Sequence, residues 1–237
     1  MNPVIETINK AEEPSGLWRT VRRYFLDLGF GGLAYFVTSS GNASMVKGFN
    51  VIHRGFPRKV TEAYLDEGLG SLDPGPGFVL AKGVAMRWTR MWEQIEPDEK
   101  ERYYLGRMRD VGLGDGYNFP VYGPASRNGT IAVGRPVREE ILDTAPVDEM
   151  HIVAQTAHMR LCRLLPDKPP LEKPLSAREL EILDWVARGK SNSVIAEILD
   201  LSGATVDTYL RRIYDKLDVS DRTSAAVRGV GMGLIAA

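Results

Sequence analysis

The chain has 237 residues, with 30 basic against 31 acidic side chains and a formal net charge of −1. A hydrophobic share of 43% and a charged share of 26% are those of an ordinary globular protein, which excludes a mainly disordered chain and a polycation that holds nucleic acid by bulk charge. The one cysteine, Cys162, excludes an intramolecular disulfide framework and a multi-cysteine zinc site, and it fits a reducing compartment.

No apolar run approaches the roughly 20 residues that a membrane span needs. The first residues, MNPVIETINKAEEP, lack the basic and apolar regions of a signal peptide. The expected location is therefore the cytoplasm, with no membrane partner.

In chain order, Leu17, Val21, Tyr24, Phe25 and Leu28 recur at helical spacing and predict an amphipathic helix. The apolar run 31–37 predicts a strand, ended by a turn at Ser39-Ser40-Gly41-Asn42. Arg58–Glu67 reads as a helix, and Tyr117–Val121 and Thr130–Val133 as strands around the turn-forming GPASRNG. A long helix over about Val147–Leu165 carries a narrow apolar stripe of Met150, Ala154, Ala157, Leu161 and Leu164. That stripe either buries within its own domain or meets the same helix of a second copy.

The segment LLPDKPPLEKPL (164–175) holds four prolines, which fix φ and remove backbone donors. It divides the chain into a domain of 1–163, a linker of 164–175 and a domain of 176–237.

The C-terminal part, 176–235, has no proline and repeated helical periodicity. Arg178–Arg188 stops at Gly189; Ser193–Leu199 is followed by the turn Asp200–Gly203; Ser202 caps a helix over Ala204–Leu217. In that last helix Val206, Leu210, Ile213 and Leu217 form the packing stripe, while Thr205, Thr208, Arg211, Arg212 and Asp215 lie off it. Two helices, a tight turn and a polar, basic outer face make a helix-turn-helix, whose second helix fits the DNA major groove. Charge alone leaves a small helical bundle with a solvated face open, because this part has 8 basic and 9 acidic residues.

The run from Leu175 to Val227 closely resembles the DNA-binding domain of LuxR-type transcription factors. Glu179, Leu183, Gly189, Ile195-Ala196, Thr205-Val206, Lys216-Leu217, Val219 and Arg222 stand at that family's spacings. The resemblance implies a four-helix domain that binds double-stranded DNA, with Ala204–Leu217 as recognition helix. Lys190, Ser191, Thr205 and Thr208 are expected at phosphates and Arg211 and Arg212 at bases or phosphates. Tyr209 stands where the family often has histidine, and Asp207 where some members place a basic residue that contacts bases.

The N-terminal part lacks the order of acidic residues and lysine of a phosphoreceiver. Residues 56–88 instead resemble the ligand-binding domain of receptors for acyl-homoserine lactones. That family shows Y-x3-W-x3-Y, then Asp-Pro, then Trp; here the frame reads Phe56, Val60, Tyr64, Asp73-Pro74 and Trp88. Gly112–Pro120 and Gly129–Val133 resemble its following segments. The resemblance implies an α/β/α sandwich, in an overall α+β chain, with a pocket for a small signal molecule. Phe56, Val60 and Tyr64 share one helix face by spacing, with Asp73 accepting the ligand's amide N–H. Val60 replaces an indole donor and Phe56 a phenol. Ala132 stands where relatives often have a hydroxyl, and Thr130, two residues earlier on the same strand face, is expected to supply one instead.

Nothing in the sequence points to catalysis, a cofactor or a metal. There is no G-x-S-x-G, H-E-x-x-H or phosphate-loop motif. Of the three histidines, His151 and His158 lie i, i+7 on the long helix, expected at its surface or an interface. The expectation is a dimeric regulator controlled by a signal such as an acyl-homoserine lactone. An orphan regulator that needs no ligand, or an antagonist that pairs with a related activator without binding DNA, stays open on the sequence.

Overall fold

The structure, a computed structural model, describes residues 2–38, 49–124, 127–165 and 173–235. The turn expected at Ser39–Asn42 and residues 166–172 of the proline-rich segment lie outside these. Contacts divide the chain into two compact units, one of Met1–Gly123 with Arg127–Leu165 and one containing Pro166–Ala237.

In the first unit, helices α1 (Pro3–Lys10) and α2 (Pro14–Asp27) precede strands β1 (Phe30–Thr38) and β2 (Phe49–Arg54). Short helices α3 (Arg58–Thr61), α4 (Gly75–Lys82) and α5 (Trp88–Trp92) follow, with the two-residue strand β3 (Met86–Arg87) before α5. Then come α6 (Glu99–Asp110), β4 (Gly116–Val121), β5 (Gly129–Pro136), α7 (Ile141–Thr144) and α8 (Val147–Leu164). The strands form one antiparallel sheet in the order β2-β1-β5-β4-β3.

Both faces of this sheet are covered, which is why β4 and β5 read as continuous apolar runs rather than alternating ones. Leu33, Tyr35, Phe119, Ile131 and Val133 point to one side, into a core with Leu17, Val21 and Phe25 of α2 and Met150, Val153, Ala154, Ala157 and Leu161 of α8. Ala34, Phe36 and Ala132 point to the other side, toward Phe56, Tyr64 and Trp88. The unit is the expected α/β/α sandwich. The apolar stripe of α8 is buried in its own unit, and it is not a surface offered to a second copy.

Sequence periodicity missed α1, whose N-terminus is fixed by Asn2 accepting from the Val4 N–H. It also read Arg58–Glu67 as one helix. After α3 the chain widens into a π-helical turn over Glu62–Asp66, so the regular ladder ends at Thr61. Phe56 lies before the helix, ahead of Pro57, and does not share its face by helical spacing. His158, expected at the helix surface or an interface, is buried within its own unit: its Nδ1 is 2.7 Å from the Tyr35 hydroxyl and its Nε2 2.6 Å from the Arg127 carbonyl. Burial lowers its pKa, first through desolvation.

The second unit holds α9 (Ala177–Ala187), α10 (Asn192–Leu199), α11 (Gly203–Leu217) and α12 (Arg222–Gly231). Each N-terminus has a side-chain cap, from Ser176, Ser191, Ser202 and Asp221 in turn. Ile182, Leu183, Ile195, Val206, Leu210, Ile213 and Leu217 form its core. Asp200 and Asp218 take the left-handed conformation just past α10 and α11 and close those helices.

Candidate functional site

A cavity of about 470 Å³ lies in the first unit, between the sheet face that carries Phe36, Asn118 and Ala132 and the segment α3–α6. Its floor depends on three glycines in register across β1, β5 and β4: Gly32 pairs with Gly134, and Gly134 with Gly116. A Cβ at Gly134 would stand 2.7 Å from the Trp88 ring, and one at Gly32 would stand 2.7 Å from Phe56. The bare backbone thus lets both rings approach the sheet closely.

Of the seven residues expected at a ligand, Phe56, Val60, Tyr64, Asp73, Trp88 and Ala132 line this cavity. Thr130 does not. It shares a strand face with Ala132, but its Oγ1 donates to the Pro76 carbonyl at 3.3 Å and the side chain is fully buried beneath α4. Thr130→Val is expected to change ligand affinity less than about threefold and to lower stability by about 1 kcal/mol. Calorimetric titration beside a denaturant melt checks both.

Asp73 is the polar centre. Its Oδ2 accepts from the Tyr64 hydroxyl at 2.9 Å and its Oδ1 from the Gly75 N–H at 2.8 Å. The Tyr104 hydroxyl is a third donor. Burial pushes the carboxyl above its usual 3.8, although all three donors oppose the shift. The same burial, with the Asp73 charge, drives both phenols well above 10, so they stay neutral donors.

Sequence reasoning missed Tyr104, Asn118, Phe36 and Trp92. Tyr104 and Met108 are the i, i+4 buried residues of α6, a spacing that was legible. Asn118 is a lone amide inside the apolar strand Gly116–Val121, the kind of buried polar group that needs a partner. It has one: the Trp88 indole N–H donates to its Oδ1 at 3.0 Å. Trp88 therefore offers the cavity its ring, with its N–H already engaged.

In the second unit, α10, the turn at Asp200–Ser202 and α11 form the expected helix-turn-helix. Lys190, Ser191, Thr208, Arg211 and Arg212 are exposed and Thr205 half-exposed. The hydroxyls have local partners: Ser191 with Ser193 at 2.9 Å, Thr205 with Ser202 at 2.8 Å, and Thr208 donating to the Ala204 carbonyl at 2.9 Å. The Arg212 guanidinium lies 5.9 Å from the centre of the Tyr209 ring. Among the described residues Arg211 makes no ion pair or side-chain hydrogen bond, so its donors face outward.

These two sites, a small-molecule cavity and a helix-turn-helix, define a ligand-controlled DNA-binding protein. Residues 13–161 match the autoinducer binding domain, and residues 173–228 match the bacterial regulatory proteins of the luxR family. The quorum-sensing-dependent transcriptional regulator RpaR of Rhodopseudomonas palustris is 30% identical over 76% of this chain and 73% of its own. The quorum-sensing regulator RhlR of Pseudomonas aeruginosa is 27% identical over 94% of this chain and 91% of its own. The fold matches SdiA of Escherichia coli with a TM-score of 0.69 at 18% identity, covering 98% of this chain and 96% of that one.

The chain belongs to the LuxR family of quorum-sensing transcription regulators. It is a DNA-binding regulator controlled by a small signal molecule and not an enzyme; such regulators bind autoinducer signals rather than cofactors. Among the described residues no helix is long and apolar enough to cross a membrane.

Proposed function

We propose that the cavity holds an acyl-homoserine lactone, or a relative with an altered head group, and that two copies of the chain then bind a two-fold related DNA site in the cytoplasm. The observation that carries this reading is Asp73, a carboxylate held by Tyr64, Tyr104 and Gly75 at the wall of a mainly apolar, aromatic cavity. An acyl amide supplies an N–H for the carboxylate and a chain for the apolar walls. Phe56, Val60, Trp88 and Ala132 shape the space, and Thr130 supports it from beneath α4. An open volume of about 470 Å³ argues against a receptor whose pocket is filled by its own side chains.

Val60 is the point of departure. It is 3% exposed and packs with Ala63, Leu69, Tyr104 and Met108, with no donor for a ring carbonyl. Val60→Trp is expected to tighten an unmodified lactone about tenfold, the value of one recovered hydrogen bond. Unchanged or weaker binding of the lactone by a folded variant, measured by titration calorimetry, counts against a lactone-shaped site.

On the DNA side, Arg211 takes a base or phosphate, Arg212 and Lys190 take phosphates, and Ser191, Thr205 and Thr208 line the backbone. Two-fold half-sites then fall one helical turn apart, about 34–36 Å. Arg211→Ala is expected to erase specific footprints on genomic fragments while the fold melts normally. The outward-facing, unengaged guanidinium favours this reading over an antagonist that never meets DNA. Footprints unaltered by Arg211→Ala sink the residue assignment, and sedimentation as a monomer with DNA bound sinks the dimer.

A further inference from the structure

The recognition helix carries a negative charge on the face that is to meet a polyanion. Asp207 is exposed in the second turn of α11. Its Oδ1 accepts from Asn192 Nδ2 at 2.5 Å. Asn192 Oδ1 accepts in turn from Arg222 Nη1 at 2.9 Å, and Arg222 also donates to the Lys190 carbonyl. First residues of α10 and α12 thus hold one carboxylate of α11 in a single direction. A contact of this kind at the surface adds little stability, because it costs rotamer freedom and competes with water. Its consequence is positional.

An ionised carboxylate has about four acceptor sites and no donor. Among the described residues Asn192 is its hydrogen-bond partner, which leaves Oδ2 open. In the major groove only the cytosine N4 and adenine N6 amino groups donate; guanine O6 and N7 and thymine O4 accept. Adenine sets its N7 acceptor beside N6, where the second carboxylate oxygen is repelled. On its own ring cytosine has only a C–H beside N4. The hydroxyls of Thr205 and Thr208 are engaged locally and Arg212 is given above to phosphates, which leaves Asp207 and, one turn on, Arg211 to tell bases apart.

We infer that Asp207, positioned by Asn192 and Arg222, reads the amino group of one cytosine in each half-site and rejects guanine and thymine there. The inference rests on the DNA-binding reading above and adds the base that this chain selects. A neighbouring Arg211 suits a guanine.

The test is selection of binding sites from a randomised two-fold duplex library by the full chain, run with and without a pool of acyl-homoserine lactones. Wild type, Asp207→Ala, Asp207→Asn and Asn192→Ala are compared, each first shown to melt like wild type. Wild type is expected to enrich a cytosine at one half-site position. Asp207→Ala lowers the cytosine-over-guanine preference there by about tenfold or more and leaves other positions alone. Asp207→Asn, with an amide that pairs to adenine N6 and N7, shifts the choice to adenine. Asn192→Ala relaxes the same position and no other. An enriched site with identical base preferences in all four proteins overturns this inference and leaves the DNA-binding reading standing. No enriched sequence from wild type overturns both.

Discussion

Glu179→Ala is expected to unfold the helix-turn-helix unit far below the wild-type melting temperature. Glu179 is 3% exposed, and its Oε2 is doubly engaged. Its Oε2 accepts from Lys216 Nζ at 2.7 Å and from the Ser176 N–H at 2.7 Å, and its own N–H donates back to Ser176 Oγ at 3.3 Å. One side chain therefore closes the capping box of α9 and ties α9 to the end of α11. Its removal leaves the Lys216 ammonium, itself only about a fifth exposed, without its counter-charge. Breaking a buried pair from one side and losing a cap together cost about 3 kcal/mol. In a unit of this size that lowers Tm by roughly 10–20 °C.

The pH dependence has a definite sign. Burial alone would raise the Glu179 carboxyl; the bonds from Lys216 and Ser176 outweigh it and hold the group below its usual 4.5. A carboxylate lowered in the folded state adds stability above its unfolded pKa and loses it as pH falls through the folded one. The wild-type unit is thus expected to weaken below about pH 4.5, and Glu179→Gln to lose most of that dependence. Melts followed by circular dichroism between pH 3 and 7 check both. A Glu179→Ala protein that melts within a few degrees of wild type contradicts the assignment.

Asp73→Ala is expected to weaken ligand binding by about tenfold to a hundredfold while the first unit keeps its sheet. The variant deprives a ligand amide of its acceptor and leaves the buried Tyr64 and Tyr104 hydroxyls without the carboxylate that they share. An unsatisfied buried donor costs about 1–3 kcal/mol, so a ligand N–H left unpaired lowers affinity by about tenfold to a hundredfold, while the two stranded phenols lower the unit's stability. Asp73→Asn returns one acceptor and recovers part of the loss. Because burial raises the Asp73 carboxyl, wild-type affinity also weakens as pH falls and the group takes up a proton. Calorimetric titration of wild type and both variants from pH 5 to 8 measures these effects; equal affinity in Asp73→Ala removes the carboxylate from the site.

What the sequence disclosed follows from where periodicity is unmixed. The C-terminal helices carry clean apolar stripes, capping serines and stop residues, so their bounds fall within a residue or two of α9, α10 and α11. In the first unit α2, β4, β5 and α8 were legible for the same reason. The turn after α3 was not: a π-helical widening changes the register without any sequence punctuation, and Tyr64 reaches the cavity through it. Thr130 illustrates another limit. Strand alternation put it on the correct face, but which atoms cover that face is decided by α4, more than fifty residues away in sequence. Nor could spacing show that Trp88 has already given its N–H to Asn118, since that pairing joins the start of α5 to a strand thirty residues on.

Control by a signal molecule requires that a ligand occupy the Asp73 cavity. The direct measurement is thermal unfolding of the full chain against a panel of acyl-homoserine lactones of varied chain and head group. Binding to the native state alone raises stability by RT ln(1 + [L]/Kd), about 2.7 kcal/mol at a hundredfold excess over Kd. A dose-dependent rise is expected for at least one lactone, lost in Asp73→Ala and kept in Thr130→Val. A sharp melt that no lactone moves, or a shift that survives Asp73→Ala unchanged, contradicts it.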